Sequence, residues 1–190
     1  MAWQKRSYVL KSSAPLLMHN GQTANPLNKF AKAMKQVSSK RVKTDADYEE
    51  LARLEFAAAL YMGQDGPVIP AQCIDAMVTE AAKKQRKGKD AKAAVYCPDH
   101  ASLSYDGPRT LDELWADERF RFVTNVRVQT ARVVRTRPMF NDWTATIALN
   151  FEDGMVNPAE LDQWMVIAGN GIGIGDWRPR YGRFEVVAVE

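Results

Sequence analysis

Long apolar runs, cysteine pairs and histidine clusters are all missing from this 190-residue chain. A membrane-spanning helix needs roughly 20 consecutive apolar residues, and no stretch approaches that. The N-terminus, Met1-Ala-Trp-Gln-Lys-Arg-Ser-Tyr-Val-Leu-Lys, has bases but neither an apolar stretch nor a small-residue cleavage site behind them, so no signal peptide is expected. Cys73 and Cys97 are the only cysteines, and His19 and His100 the only histidines. Without a CxxC motif or a histidine at ligand spacing, the two thiols read as the reduced cysteines of a cytoplasmic protein, and a structural zinc site is not expected. No nucleophile elbow or paired catalytic carboxylate occurs, and neither a metal nor a cofactor is expected.

Acids are also missing where they matter. Residues 1–43 contain no Asp or Glu but nine of the 26 bases, which leaves 17 bases against all 23 acids in the remainder. The net charge of +3 therefore hides a strong segregation. Lys35, Lys40, Arg41 and Lys43 close the first basic stretch. A second cluster is Lys83, Lys84, Arg86, Lys87, Lys89 and Lys92. A third is the series Arg119, Arg121, Arg127, Arg132, Arg135 and Arg137, with no acid before Asp142. Segregated positive charge is the footprint of a polyanion binder. Lysines at the end of a helix also favour its dipole without any ligand, but three separate clusters point to phosphate.

What the chain does contain is ordinary globular composition, 46% apolar and 26% charged, which suits one α+β domain over residues 1–190. Residues 5–12 read as a first strand, with Pro15-Leu-Leu-Met as its extension. Asn20 to Pro26 is a loop. Leu27, Phe30, Ala31, Met34 and Val37 have helical spacing. Thr44-Asp-Ala-Asp starts a second helix, and 56–62 reads as a strand. Ile74, Met77, Val78, Ala81 and Ala82 predict an amphipathic helix over 70–87, with Gly88 as its stop. Short strands are expected at 93–97 and 101–105 and a short helix at Thr110. One strand covers 120–135 and, after a connection at 137–142, its return covers 143–151. Asn157-Pro-Ala-Glu opens a helix over 158–168, and a last strand covers 183–189. Setting aside insertions at about 20–66 and 89–119, the order is βαββαβ, the ferredoxin-like arrangement of many RNA-binding modules.

The most informative motif is Gly169-Asn-Gly-Ile-Gly-Ile-Gly-Asp-Trp-Arg178-Pro-Arg180-Tyr-Gly182-Arg183-Phe-Glu-Val. Glycines let a backbone approach a phosphate, Arg178, Arg180 and Arg183 can neutralise it, and Trp177 and Tyr181 offer faces on which bases stack. The same residues also describe a helix cap followed by a packed loop with Trp177 in the core. The motif is neither a Walker loop nor a dinucleotide fingerprint, because it lacks G-K-[ST] and precedes a strand.

A glycine-rich loop running into Gly-Arg-Phe-Glu-Val before the last strand resembles the C-terminal loop of the RAMP superfamily, the ferredoxin-like proteins that include guide-RNA-binding subunits of CRISPR complexes. Pro67-Val-Ile-Pro70 leading into an amphipathic helix is similar to that superfamily's first core helix. Where members carry small and basic residues, this chain has Ala71-Gln72-Cys73 and Asp75. The resemblance implies binding of single-stranded RNA along its backbone, often by repeated subunits and within a ribonucleoprotein. The compact size also resembles proteins of bacteriophage or prophage origin, which would place the chain in the cytoplasm of a bacterium.

Three functions follow as expectations. The first is non-catalytic, largely sequence-nonspecific binding of single-stranded RNA or DNA through its phosphates, with self-association along the strand. The second is metal-independent ribonuclease activity, since some members that process RNA use a histidine and His19 lies at a strand end beside a loop. The third is a phage inhibitor that binds a host nucleic-acid complex.

Overall fold

In the computed structural model, which describes residues 2–189 with the side chains of Val128 and Ala131 excepted, the elements run β1 (Trp3–Ser12), β2 (Leu16–Leu17), α1 (Lys29–Ser38), α2 (Asp45–Ala59), β3 (Met62–Gly63), β4 (Gly66–Ile69), α3 (Ala71–Lys83) and α4 (Gly88–Ala94). They continue as β5 (Val95–Tyr96), β6 (Ala101–Ser104), α5 (Leu111–Ala116), β7 (Arg121–Val128), β8 (Ala131–Phe140), β9 (Thr144–Glu152), α6 (Pro158–Ile167) and β10 (Phe184–Val189). Two units result. The first holds Met1–Leu17, Met62–Asp106 and Phe140–Glu190, and the second holds Met18–Tyr61 and Gly107–Met139.

The first unit is built on period-two burial. Tyr8 and Leu10 of β1 are fully buried, as are Leu149 and, to within 1%, Ile147 and Phe151 of β9, while the alternate residues Lys5 and Lys11 face solvent. The sheet order is β10-β1-β9-β6-β4-β3, with β5 also paired to β9. Its path β10-β1-β9-β6, with α3 following β1 and α6 following β9, is the ferredoxin-like arrangement. The class read from sequence holds, with one strand reassigned. The partner of β9 is Ala101–Ser104, whereas the expected 120–135 strand lies in the other unit.

The two helices of this core are fixed by specific groups. Asn157 and Glu160 form a reciprocal capping box at the start of α6, with Pro158 at the first position. Inside the helix Trp164 is fully buried, and its Nε1 donates to Gln85 Oε1 at 2.9 Å. The guanidinium of Arg6 clamps Asp162 through Nε and Nη2 at 2.7 and 2.8 Å, and the Tyr8 hydroxyl donates to the same carboxylate at 2.9 Å. Burial opposes charge on Asp162, yet these hydrogen bonds outweigh it and hold its pKa below the ordinary range. Arg6, counted among the segregated bases, is therefore a structural tie between β1 and α6. His100 has a structural task too, since its Nδ1 accepts the Ala71 N–H at the start of α3, at 3.1 Å.

Other boundaries differ from expectation for physical reasons. Residues 56–59 continue α2, because Ala57, Ala58 and Ala59 are strong helix formers on a buried face. Gly88 opens α4 instead of ending α3. The chain leaves α3 through Arg86 N–H to Lys83 and Lys87 N–H to Ala82, with Arg86 at φ +63°, the left-handed cap usually given to glycine. Likewise 120–135 is not one strand. It turns at Gln129, φ +54°, and β8 returns antiparallel to β7 with Arg127 opposite Arg132. No Asn-Gly signal marks that turn. Among the described residues no helix is long and apolar enough to cross a membrane. Cys73 and Cys97 form no disulfide with each other, and burial pushes the Cys97 thiol up to about 11, leaving it protonated at neutral pH.

Candidate nucleic-acid interface

In the first unit the end of α3 meets the glycine-rich loop. Lys84, Gly171, Gly175, Trp177, Arg178 and Pro179 line an open groove of about 550 Å³, together with Glu80 and Asp176. Lys84 and Arg178 are exposed, and the Trp177 ring is 39% exposed. Trp177 sits at φ +50°, a left-handed conformation that costs a side chain roughly 1–2 kcal/mol. Its ring lies 6.2 Å from that of Tyr181, and the Arg180 guanidinium lies 5.9 Å from the Tyr181 ring centre. Arg183 turns back, its Nε donating to the Pro179 carbonyl at 2.8 Å. The Glu80 carboxyl is held below its ordinary range, first by a hydrogen bond from Lys83 and further by the charges of Arg178 and Lys84.

The glycines of this loop serve its own packing. A Cβ on Gly182, at φ +72°, would stand 1.7 Å from the Ile174 carbonyl oxygen, and one on Gly169 would stand 2.2 Å from that of Phe184. Only around Gly171 is there open space. The loop is thus a rigid mount for Trp177 and Arg178, and its glycines press on protein backbone, which accounts for them without a phosphate.

On the other side of α3 a wider groove, about 960 Å³, is lined by Lys83, Arg86, Lys89 and Lys92, with Asp75, Glu80 and Tyr96. Lys83 is paired with Glu80 at 2.5 Å, and Lys87 binds Asp90 at 3.1 Å and approaches Glu160 at 4.0 Å. Lys87 is thereby the most committed of this cluster. Asp75 accepts the Cys97 N–H at 2.7 Å, and burial raises its pKa.

The second unit carries Lys35 to Lys43 and the arginine series. Lys35 and Arg41 are exposed. Lys43 donates to the Lys40 carbonyl at 2.9 Å, and Lys40 is bound to Asp47 at 2.5 Å. Asp47 is also the N3 residue of the Thr44 capping box on α2. Its pKa is pushed down to about 2, first by the Lys40 hydrogen bond and then by the Thr44 N–H. A depressed carboxylate stabilises the folded form above its unfolded pKa and loses that contribution as pH falls through the folded value. The first turn of α2 should therefore keep its amide-exchange protection from neutral pH down to about 4 and lose it progressively toward pH 2, while Asp47→Asn should flatten that dependence.

The arginine series divides. Arg119 pairs with Asp117 at 2.7 Å, Arg121 pairs with Glu118 at 2.9 Å and lies over the Trp115 ring, and Arg135 pairs with Glu55. Arg127 and Arg132 face each other across the hairpin tip, both exposed, with Arg127 Nε donating to the Gln129 carbonyl. Like charges directly opposite destabilise a strand pair, so an anion at this tip would relieve a standing repulsion. Arg127 and Gln129 are exposed and Val126 is half-buried, as alternation predicts; the Val128 side chain lies outside the described residues.

His19 was singled out from sequence without a partner group. It lines a cavity of about 350 Å³ with Asn20, Glu55, Arg135, Thr136 and Arg137. Glu55 accepts from Arg135 and from the Thr136 N–H at 3.1 Å. Sequence reading missed Glu55, because its α2 position is far from both His19 and the arginines along the chain.

No family model matches the chain, and no curated protein does. Among solved structures, a chain in the cryo-EM structure of the Type III-B Cmr-beta bound to cognate target RNA shares the fold, with a TM-score of 0.53 at 12% identity. The match covers 99% of this chain, which spans 60% of the length of the other.

Proposed function

We propose that this protein binds single-stranded nucleic acid, RNA or DNA, through its phosphate backbone and with little regard to sequence. The observation that carries this reading is the groove in which Lys84 meets Trp177 and Arg178, about ninety residues away in the chain, as two cations and a partly exposed ring. Cations neutralise phosphates and aromatic faces accept any base, which is the chemistry of sequence-tolerant single-strand binding. Exposed Lys35, Arg41, Arg86, Arg127, Arg132 and Arg180 supply further positive charge. The fold shared with a chain of an RNA-bound type III-B complex supports the same reading, as does the superfamily resemblance in the loop. Within this proposal residues 1–190 act as one functional domain, copies line up along a strand, and the setting is a ribonucleoprotein.

A second reading is favoured by the His19 cavity, where an imidazole shares a pocket with Glu55 and two arginines. That set can move a proton and hold a phosphate without a metal.

Gel-shift titration of end-labelled single-stranded RNA, single-stranded DNA and duplex separates the two. Binding should favour both single strands, form a ladder on longer ones, and fall linearly in log K against log salt, with a slope of about −0.7 per phosphate contact. Affinity indifferent to salt, or preference for duplex, would reject the binding proposal. A cleavage product that disappears in His19→Ala would establish the second reading.

A further inference from the structure

Trp3 and Tyr96 form an exposed aromatic pair in the first unit, apart from the Trp177 groove. Trp3 is 56% and Tyr96 44% exposed, and their rings meet edge to face with centroids 5.3 Å apart. The register shows why they meet. Trp3 lies opposite Glu152 and Tyr96 opposite Asn150, on the two sides of β9, and Glu152 and Asn150 share one face because they are two residues apart. That face is turned away from the helices, since the intervening Phe151 is buried. Lys5 also lies opposite Asn150, so one row across the sheet reads Lys5, Asn150, Tyr96.

Cations approach the pair from two sides: Lys5 shares its face of the sheet, and Tyr96 closes one end of the wide groove that also holds Lys89 and Lys92 of α4, Lys83 at the end of α3 and Arg86 beyond it. Three acids lie near the rings, but Glu80 is bound to Lys83, Asp75 is used by the Cys97 N–H, and Glu152, opposite Trp3 on the same face, accepts the Gly154 N–H. Arg86 keeps a left-handed backbone at this wall where glycine would be unstrained. Exposed aromatic faces flanked by lysines and an amide are complementary to an unpaired base with its phosphates: rings stack on the base, cations meet the backbone, and the Asn150 amide can donate or accept at a base edge. A protein partner would be expected to need an apolar patch, and this face is instead polar around the two rings.

We propose that Trp3 and Tyr96, with Lys92 in the groove that Tyr96 closes, form a stacking site for an unpaired nucleobase of a bound single strand, separate from the Trp177 groove. This rests on the single-strand reading above and specifies a second point of contact for it.

The test compares an ordinary single-stranded RNA with an abasic strand of the same length and phosphate count, using the full chain. Trp3→Leu with Tyr96→Leu should weaken the base-bearing strand by roughly 5- to 100-fold per base lost from the platform and leave the abasic strand and the salt slope unchanged. Lys92→Ala should weaken both strands alike and flatten the slope by about 0.7 units. Equal loss on both strands in the ring variant, or no loss on either, would overturn the site. If the double variant melts early, Tyr96→Phe and Trp3→Phe, which keep a stacking face, must bind as wild type while Tyr96→Leu alone still loses base-dependent affinity; otherwise the site is overturned. Wild-type protein that binds neither strand would reject single-strand binding itself, a different result from wild-type binding that ignores the rings.

Discussion

Replacing Lys84 and Arg178 together with alanine is expected to weaken single-strand binding about a hundredfold and to flatten the salt dependence by roughly 1.4 units. Both side chains are exposed on the groove that holds Trp177, and neither lies in the apolar core, so the fold should be spared. A charge-assisted hydrogen bond to phosphate is worth about 1.5–3 kcal/mol, close to a factor of ten or more each at the lower end. Every sequence should suffer equally, because phosphate contacts position a strand without reading its bases. One complication is local: removing both cations leaves Glu80 with Lys83 as its remaining close cation among those that lower its pKa. Fluorescence anisotropy at several salt concentrations measures both quantities. Unchanged affinity in a normally folded double variant would reduce the groove to a surface feature.

The second large effect concerns the mount of that groove. Gly182→Ala is expected to destabilise the protein by roughly 2–5 kcal/mol, combining left-handed strain with overpacking. The added Cβ would lie 1.7 Å from the Ile174 carbonyl oxygen, and the Gly182 N–H is already held by the Pro15 carbonyl at 2.7 Å, so the loop cannot simply shift aside. Gly171→Ala provides the contrast. It meets open space and carries no positive φ, so it should be neutral or slightly stabilising, by up to about 1 kcal/mol. Chemical denaturation of the two variants decides it. Similar behaviour would mean that the loop is loosely held, and Trp177 with it.

Much of the fold was legible because core positions obey short periods. The alternation in β1 and β9, the stripe of α3 and the capping boxes of α2 and α6 are local patterns that tertiary contacts then reinforced. What escaped was decided non-locally or by unusual turn residues. The β7–β8 turn uses Gln129 and the α3 cap uses Arg86, both in conformations for which sequence offers glycine or asparagine as the signal. Strand β6 has only four residues and earns its place beside β9 by pairing, which no local period reveals. The site was legible as charge but not as geometry. Counting bases cannot tell that Lys40, Lys87 and Arg135 are held by carboxylates while Arg127 and Arg132 confront each other. Nor can it tell that Lys84 shares a groove with Arg178.

The position of β1 in its sheet has a consequence for how the molecule is made. It is a central strand, flanked by β9 and β10, and both neighbours come from the last quarter of the chain. Trp3 and its partner Glu152 are 149 positions apart, so at a translation rate of about 5–20 residues per second β1 waits on the order of 7–30 s for this partner. During that interval Tyr8, Leu10 and both edges of the strand are without their native cover. Completion of this sheet therefore comes only after β10 has been made, long after β1, and the nascent chain depends on its polar and lysine-bearing alternate positions, Lys5 and Lys11 among them, to keep the waiting strand from pairing with another copy.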